Sequence, residues 1–181
     1  MQPRIPRQSV GEQAVGPRAD NDARLTAELA AVVSGARRRA VRDGDRQIDT
    51  AHLLHSLLEH DPEVRAVFDD GPESARLLGY LVQRSIGYGL RWQGSVEDSG
   101  AVPVVAETQG FSPLAAGAME YACERAASRG TEPARGIDLL AAIVVDPQAR
   151  AVEVLDRAAI ETGAVLERVE RRLAQTGWSG R

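Results

Sequence analysis

The chain contains no lysine; all 22 of its basic residues are arginine. That absence removes Schiff-base chemistry, a Walker-type phosphate lysine and any side-chain amine to acylate. Cysteine is nearly absent as well. Cys123 stands alone, so an intramolecular disulfide is impossible and a reducing compartment is expected. Its default role is a buried structural thiol. No apolar run approaches membrane-spanning length. The net charge of −4 gives a nucleic-acid role no electrostatic support. The first residues, Met1 to Asn21, are polar, carry Pro3, Arg4, Pro6, Arg7 and Pro17, and lack the apolar middle of a secretory signal. They read as a disordered arm (1–21) or a mis-called start, and the location expected is cytoplasmic, with no membrane and no nucleic acid among the partners.

What is present is an internal echo. Leu25, Ala36, Ala40, Gly44, Leu53 and Leu54 line up with Phe111, Ala122, Ala126, Gly130, Leu139 and Leu140, always 86 residues apart. Self-similarity at one spacing indicates a supersecondary unit used twice. In the first copy, Leu25, Leu29, Val32, Val33, Ala36 and Ala40 form one helical stripe, with Asp22 as N-cap and Gly44 as C-cap. Thr50 caps a short second helix, and Asp61-Pro62 opens a third. A fourth, from Glu73 to about Ile86, turns Leu77, Leu78, Leu81 and Val82 to one side. The second copy repeats the plan. Ser112-Pro113 starts a helix that Gly130 ends, and helices follow over Ile137 to Val145, Pro147 to about Ala158 and Glu161 to about Thr176. The third helices are offset by 85, so a one-residue indel separates the copies. The organisation expected is therefore a first repeat over 22–87, a linker over 88–110, a second repeat over 111–175 and a tail over 176–181. The linker holds a short apolar run, Val102-Pro103-Val104-Val105, expected to pack over the domain.

These copies resemble the N-terminal domain of Clp-family unfoldases, especially the ClpC and ClpA type. The resemblance rests on Leu25-Thr26, Ala36, Ala40, Gly44 and Ile48-Asp49-Thr50-Ala51-His52-Leu53-Leu54. In the second copy it rests on Phe111-Ser112-Pro113, Ala122, Ala126, Gly130 and Gly136-Ile137-Asp138-Leu139-Leu140. It implies an all-α fold, two pseudo-symmetric four-helix repeats packed as one compact unit. It also implies a non-catalytic role: such a domain receives adaptors and substrate segments for an ATPase ring. There is no Gly-x-x-x-x-Gly-Lys-Ser/Thr loop here, and a receptor without the motor is expected. That leaves modulation of Clp proteolysis or sequestration of peptide-like ligands, cyclic peptides included. The alternative is an accessory subunit docking on the Clp proteolytic core. The partners implied are a Clp unfoldase, adaptors or substrate proteins. No cofactor and no catalytic residue is expected.

The resemblance also singles out positions. In the ClpC type, a Glu in each Thr-Glu-His run is implicated in binding phosphorylated arginine; Ala51 and Ile137 stand there in this chain. That chemistry is expected to be lost. Thr50 and His52 match the pattern and Asp138 occupies the His position of the second copy, so these three are ligand-binding candidates. The plainer reading makes Thr50 a cap and has His52 pack within its own repeat. Phe111 corresponds to an aromatic at the family's cyclic-peptide surface. Its aromatic partner is replaced by Asp22, and Leu25 replaces the opening Phe; packing at the repeat junction is the plainer role. His52, His55, Glu59 and His60 invite a metal reading, but no second cluster completes a site and no metal is expected. Arg37, Arg38, Arg39 and Arg42 are followed by Asp43 and Asp45 and read as a solvated face.

Overall fold

A computed structural model describes residues 23–68, 72–88, 97 and 110–178. The expected arm (1–21), the cap Asp22, most of the linker with Val102-Pro103-Val104-Val105, and the end of the tail lie outside them. The described residues are all-α. The helices are α1 (Ala27–Asp43), α2 (Thr50–His60), α3 (Pro62–Arg65, followed by a 3-10 turn, Ala66–Phe68), and α4 (Pro72–Gln83, running into a π turn, Arg84–Tyr88). They continue as α5 (Pro113–Ser128), α6 (Gly136–Val144), α7 (Arg150–Arg157) and α8 (Thr162–Trp178).

The helix starts show where local chemistry differs from the sequence expectation. Thr26 caps α1, its Oγ1 accepting the Leu29 N–H at 3.2 Å, in place of Asp22. Asp49, not Thr50, caps α2: its carboxylate accepts the His52 N–H at 2.8 Å. Thr50 thereby becomes the first helical residue. Asp61 caps α3 and Ser112 caps α5 as expected. The α7 helix begins at Arg150 rather than Pro147. Asp146 closes a turn first, its carboxylate accepting the Gln148 N–H and its carbonyl the Ala149 N–H. Gly44 ends α1 with φ 73, the left-handed conformation that a Cβ disfavours.

One apolar core runs through both halves. Leu29, Val32, Leu53, Leu54, Leu57, Phe68 and Leu77 from the first meet Ile137, Leu139, Leu140, Ile143, Leu155, Val165 and Val169 from the second. Each such side chain contributes roughly 1.5–3 kcal/mol on full burial. The expected stripe of α4 is narrower than its sequence suggests: Leu77 and Leu81 are buried, whereas Val82 is 48% exposed. Cys123 is buried and free. Helix α1 packs on α2 and α5 on α6, while α2 and α6 carry the contacts between halves, with α3 against α6 and α7 against α2.

Two isolated β-bridges tie the halves together. Leu25 pairs with Ala134 and Ile48 with Phe111. The four positions are related by the same 86-residue spacing, so the segment opening each half lies beside the segment that leads into the other half's second helix. Hydrogen bonds carry both contacts: Thr26 N–H to the Ala134 carbonyl at 2.9 Å, Ala134 N–H to the Arg24 carbonyl at 2.8 Å, Ile48 N–H to the Gly110 carbonyl at 2.7 Å and Ser112 N–H to the Ile48 carbonyl at 2.8 Å. The starts of α2 and α6 are thus held at the seam, and that is where the candidate residues sit.

Candidate functional site

The start of α2 is fully buried. Thr50, Ala51 and His52 are each 0% exposed. Above it lies Glu97, the one described residue of the linker's interior and itself buried. Its carboxylate is held from four sides. Oε1 accepts the Thr50 N–H at 2.9 Å and the Ser112 hydroxyl at 2.7 Å. Oε2 accepts the Arg150 N–H at 2.7 Å and a short hydrogen bond from the Thr50 hydroxyl. Thr50 Oγ1 in turn accepts the Ala151 N–H at 3.1 Å. The first turns of α2 and α7 and the cap of α5 therefore converge on one carboxylate. Such amides at helix starts carry partial positive charge and favour an anion; here the chain supplies that anion itself.

Beneath Glu97 lies an ionic cluster. Asp49, 1% exposed at its side chain, pairs with Arg150 Nη1 at 2.9 Å and closely with Arg84. Burial alone would raise the Asp49 pKa. The hydrogen bond and charge of His52, with the Arg84 guanidinium, outweigh it and hold the carboxyl well below the usual range. His52 Nδ1 accepts the Asp49 N–H at 3.0 Å and lies 2.9 Å from Asp49 Oδ1. On its other side, Nε2 is 2.9 Å from Asp45 Oδ2 and 3.7 Å from Asp43 Oδ2. Burial alone would lower the His52 pKa, but the Asp45 and Asp49 carboxylates raise it. His52 thus packs against the end of α1, where it is gripped by acids.

Asp138, at the matching place in α6, is also fully buried. Its Oδ2 accepts the Arg135 N–H at 3.0 Å, and its Oδ1 pairs with Arg129. Phe111 is partly buried, packed on the core at the second bridge. Thr50, His52 and Phe111 gather near one seam, and Asp138 caps the opposite helix. Thr50 and Asp138 have their polar side-chain atoms hydrogen-bonded within the protein, and His52 is hydrogen-bonded at Nδ1 and ion-paired with acids at Nε2.

The histidine-rich turn does not assemble. His55 is buried and pairs with Glu59 at 3.5 Å. Burial, then the nearby Arg39 charge, lower its pKa to about 4. Arg39 is not solvated as expected; it pairs with Glu59 and is 10% exposed. Glu97 escaped sequence reasoning because it sits in a glycine-rich stretch without periodicity. An isolated acid with an unassigned hydrogen-bonding role was the only available signal.

No family model matches the chain, and no curated protein matches it. Among solved structures, the crystal structure of the N-terminal domain of the caseinolytic protease associated chaperone ClpD from Arabidopsis thaliana is similar at a TM-score of 0.61 and 18% identity. The match covers 83% of this chain and 97% of that one.

Proposed function

The chain has the fold of a Clp unfoldase N-terminal domain, and we propose that it acts as a non-catalytic binding protein of that kind. In this reading it receives adaptor or substrate segments, and so modulates Clp proteolysis or sequesters peptide-like ligands. The observation that carries the reading is the likeness to the ClpD N-terminal domain over nearly that domain's whole length. The candidate site agrees with it. Thr50, Asp138 and Glu97 are buried and hydrogen-bonded internally, and His52 is buried among acids, whereas a general acid, base or nucleophile has to reach a substrate.

The same geometry disfavours phosphoarginine as ligand. Ala51 and Ile137 are apolar and fully buried, so neither position offers a carboxylate to a guanidinium. The amides at the start of α2 and α7, which would suit a phosphate, already hold Glu97. Of the candidates, Phe111 alone is partly open and is the one to touch a ligand.

A binding assay with purified components tests this. The protein, immobilised, is expected to retain a Clp unfoldase, an adaptor or a cyclic peptide that acts on Clp, and Phe111→Ala is expected to weaken the last of these. Failure to bind any of the three overturns the reading. A phosphoarginine peptide is expected to show no saturable binding.

A further inference from the structure

We propose that Asp43, Asp45 and His52 form a divalent-metal site of the zinc class, fastening the end of α1 to the start of α2. The three come from different places. Asp43 is the last residue of α1, Asp45 follows the Gly44 turn, and His52 lies in the first turn of α2. Their ligand atoms all fall within 4.8 Å of one another. The His52 Nε2 distances are 2.9 Å to Asp45 Oδ2 and 3.7 Å to Asp43 Oδ2. Ligands about 2.0–2.2 Å from a zinc ion stand roughly 2.8–3.6 Å apart in octahedral or tetrahedral arrangements. The Asp45 separation falls within that range and the Asp43 separation at its upper edge.

The histidine carries the inference further than two neighbouring acids could. His52 is fully buried, and its Nε2 has no hydrogen-bond partner although Asp45 is within reach. The carboxylate pairs with it as an ion at 2.9 Å. Buried polar atoms are rarely left without a hydrogen bond. A cation accepting the Nε2 lone pair and one oxygen from each acid satisfies all three.

The far side of the ring serves the same end once the ring proton moves from Nε2 to Nδ1. His52 Nδ1 lies 2.9 Å from Asp49 Oδ1. A carboxylate accepting from the outer nitrogen of a metal-bound histidine orients the ring and makes it a better ligand. Asp49 is fixed in turn by Arg84 and Arg150. Binding has costs. The Asp49 N–H gives up its bond to Nδ1, and the ion competes with the Ser85 hydroxyl at 3.0 Å from Asp43 Oδ2 and with Arg84 at 3.5 Å from Asp45 Oδ2. Asp45 is 28% exposed at its side chain, giving the ion a way in. One nitrogen and two carboxylate oxygens suit zinc, cobalt or manganese better than a soft, thiolate-seeking ion.

Titration of the full chain with Co²⁺, followed by visible absorption and equilibrium dialysis, tests the site, with Zn²⁺ competing for the bound ion. One ion per chain is expected. Asp45→Asn and Asp43→Asn should each weaken binding by about tenfold or more, the scale seen when a metal site loses a supporting group. His60→Asn, at an exposed histidine outside the cluster, should leave binding unchanged. His52→Asn removes a fully buried side chain, so the two aspartate variants carry the test. No saturable binding at about millimolar Co²⁺, or binding that both aspartate variants retain in full, overturns the proposal.

Discussion

The starts of α2 and α6 perform one structural task with opposite charges. In the first half the N-cap is Asp49, the third helical residue is His52, and the residue closing the preceding helix against it is Asp43. The three positions 86 residues on are Arg135, Asp138 and Arg129. Both arrangements have the third-residue side chain accept the cap's N–H, at 3.0 Å from His52 Nδ1 and 3.0 Å from Asp138 Oδ2. Both then bring that side chain to the opposite charge at the end of the previous helix. An acid–histidine–acid set has become an arginine–acid–arginine set. The backbone need, an acceptor for one orphan N–H at a buried helix start, is common to both. The sign of the network around it is free to invert, provided every member inverts together.

The strongest way to break the comparison is at Asp49, whose counterpart Arg135 crosses between the halves only through a partly exposed pair with Glu63 at 3.2 Å. Asp49 meets Arg84, Arg150 and His52 at once, all of them largely buried. Removing one partner of a buried ion pair costs about 3–5 kcal/mol. Asp49→Ala is expected to fall in that range in urea unfolding. A loss below about 1 kcal/mol would show that water already screens the cluster.

A charge exchange sharpens it. Arg129→Asp alone places a second acid against buried Asp138 and should cost about 2–3 kcal/mol, since the pair is lost and like charges meet. Adding Asp138→His rebuilds the histidine–acid contact of the first half, with Arg135 still at the cap, and should return part of that loss. A double-mutant cycle measures the coupling directly. Strict additivity of the two changes would mean that the halves share a spacing but not an interchangeable network.

Histidine titration should act on the first half only, since His52, His55 and His60 all lie there. His55 is buried with its pKa lowered to about 4, and the residue 86 positions on is Ala141, which does not titrate. In the unfolded chain a histidine takes up its proton near pH 6.5. Between about pH 6.5 and 4 the unfolded state therefore binds more protons, and stability present at pH 7 is lost as pH falls through that window. The total is on the order of 2–3 kcal/mol. Urea midpoints measured across this range should fall with acid, and the slope should flatten in His55→Leu. An unchanged slope in that variant would assign the acid sensitivity to other groups.

The sequence made the scaffold legible because its signals are local. The stripes of α1 and α5, Gly44, Ser112-Pro113 and Asp61-Pro62 all act within a turn of their own position. Errors fell where two residues compete for one task, as with Thr50 beside Asp49, or where a turn precedes a helix, as at Asp146. The site was less legible. Thr50, His52 and Asp138 were marked by resemblance, but what engages them comes from afar: Glu97 is 47 residues from Thr50, and Arg150 is 101 from Asp49. No periodicity encodes such pairings. The inversion of charge between halves was visible in the letters, yet it acquires meaning only when Asp43 and Arg129 are seen closing on the helices they precede.

The smallest effect is expected where the halves meet in the open. Arg24 reaches Glu120 through two hydrogen bonds, at 2.8 and 3.0 Å, a geometry as good as any in the buried cluster. Both side chains are substantially exposed, at 41% and 57%. Water screens such a pair, and holding two long side chains in one geometry costs entropy, so exposed pairs contribute about 0–1 kcal/mol. Arg24→Ala should shift stability by no more than about 0.5 kcal/mol, and raising the salt concentration should erase even that. The Thr26–Ala134 and Ala134–Arg24 backbone bonds beside it are untouched by the change, since they use no side chain of Arg24. A loss comparable to that of Asp49→Ala would mean that the guanidinium itself holds the seam. Burial would then no longer be what separates the network at the start of α2 from the ion pairs on the surface.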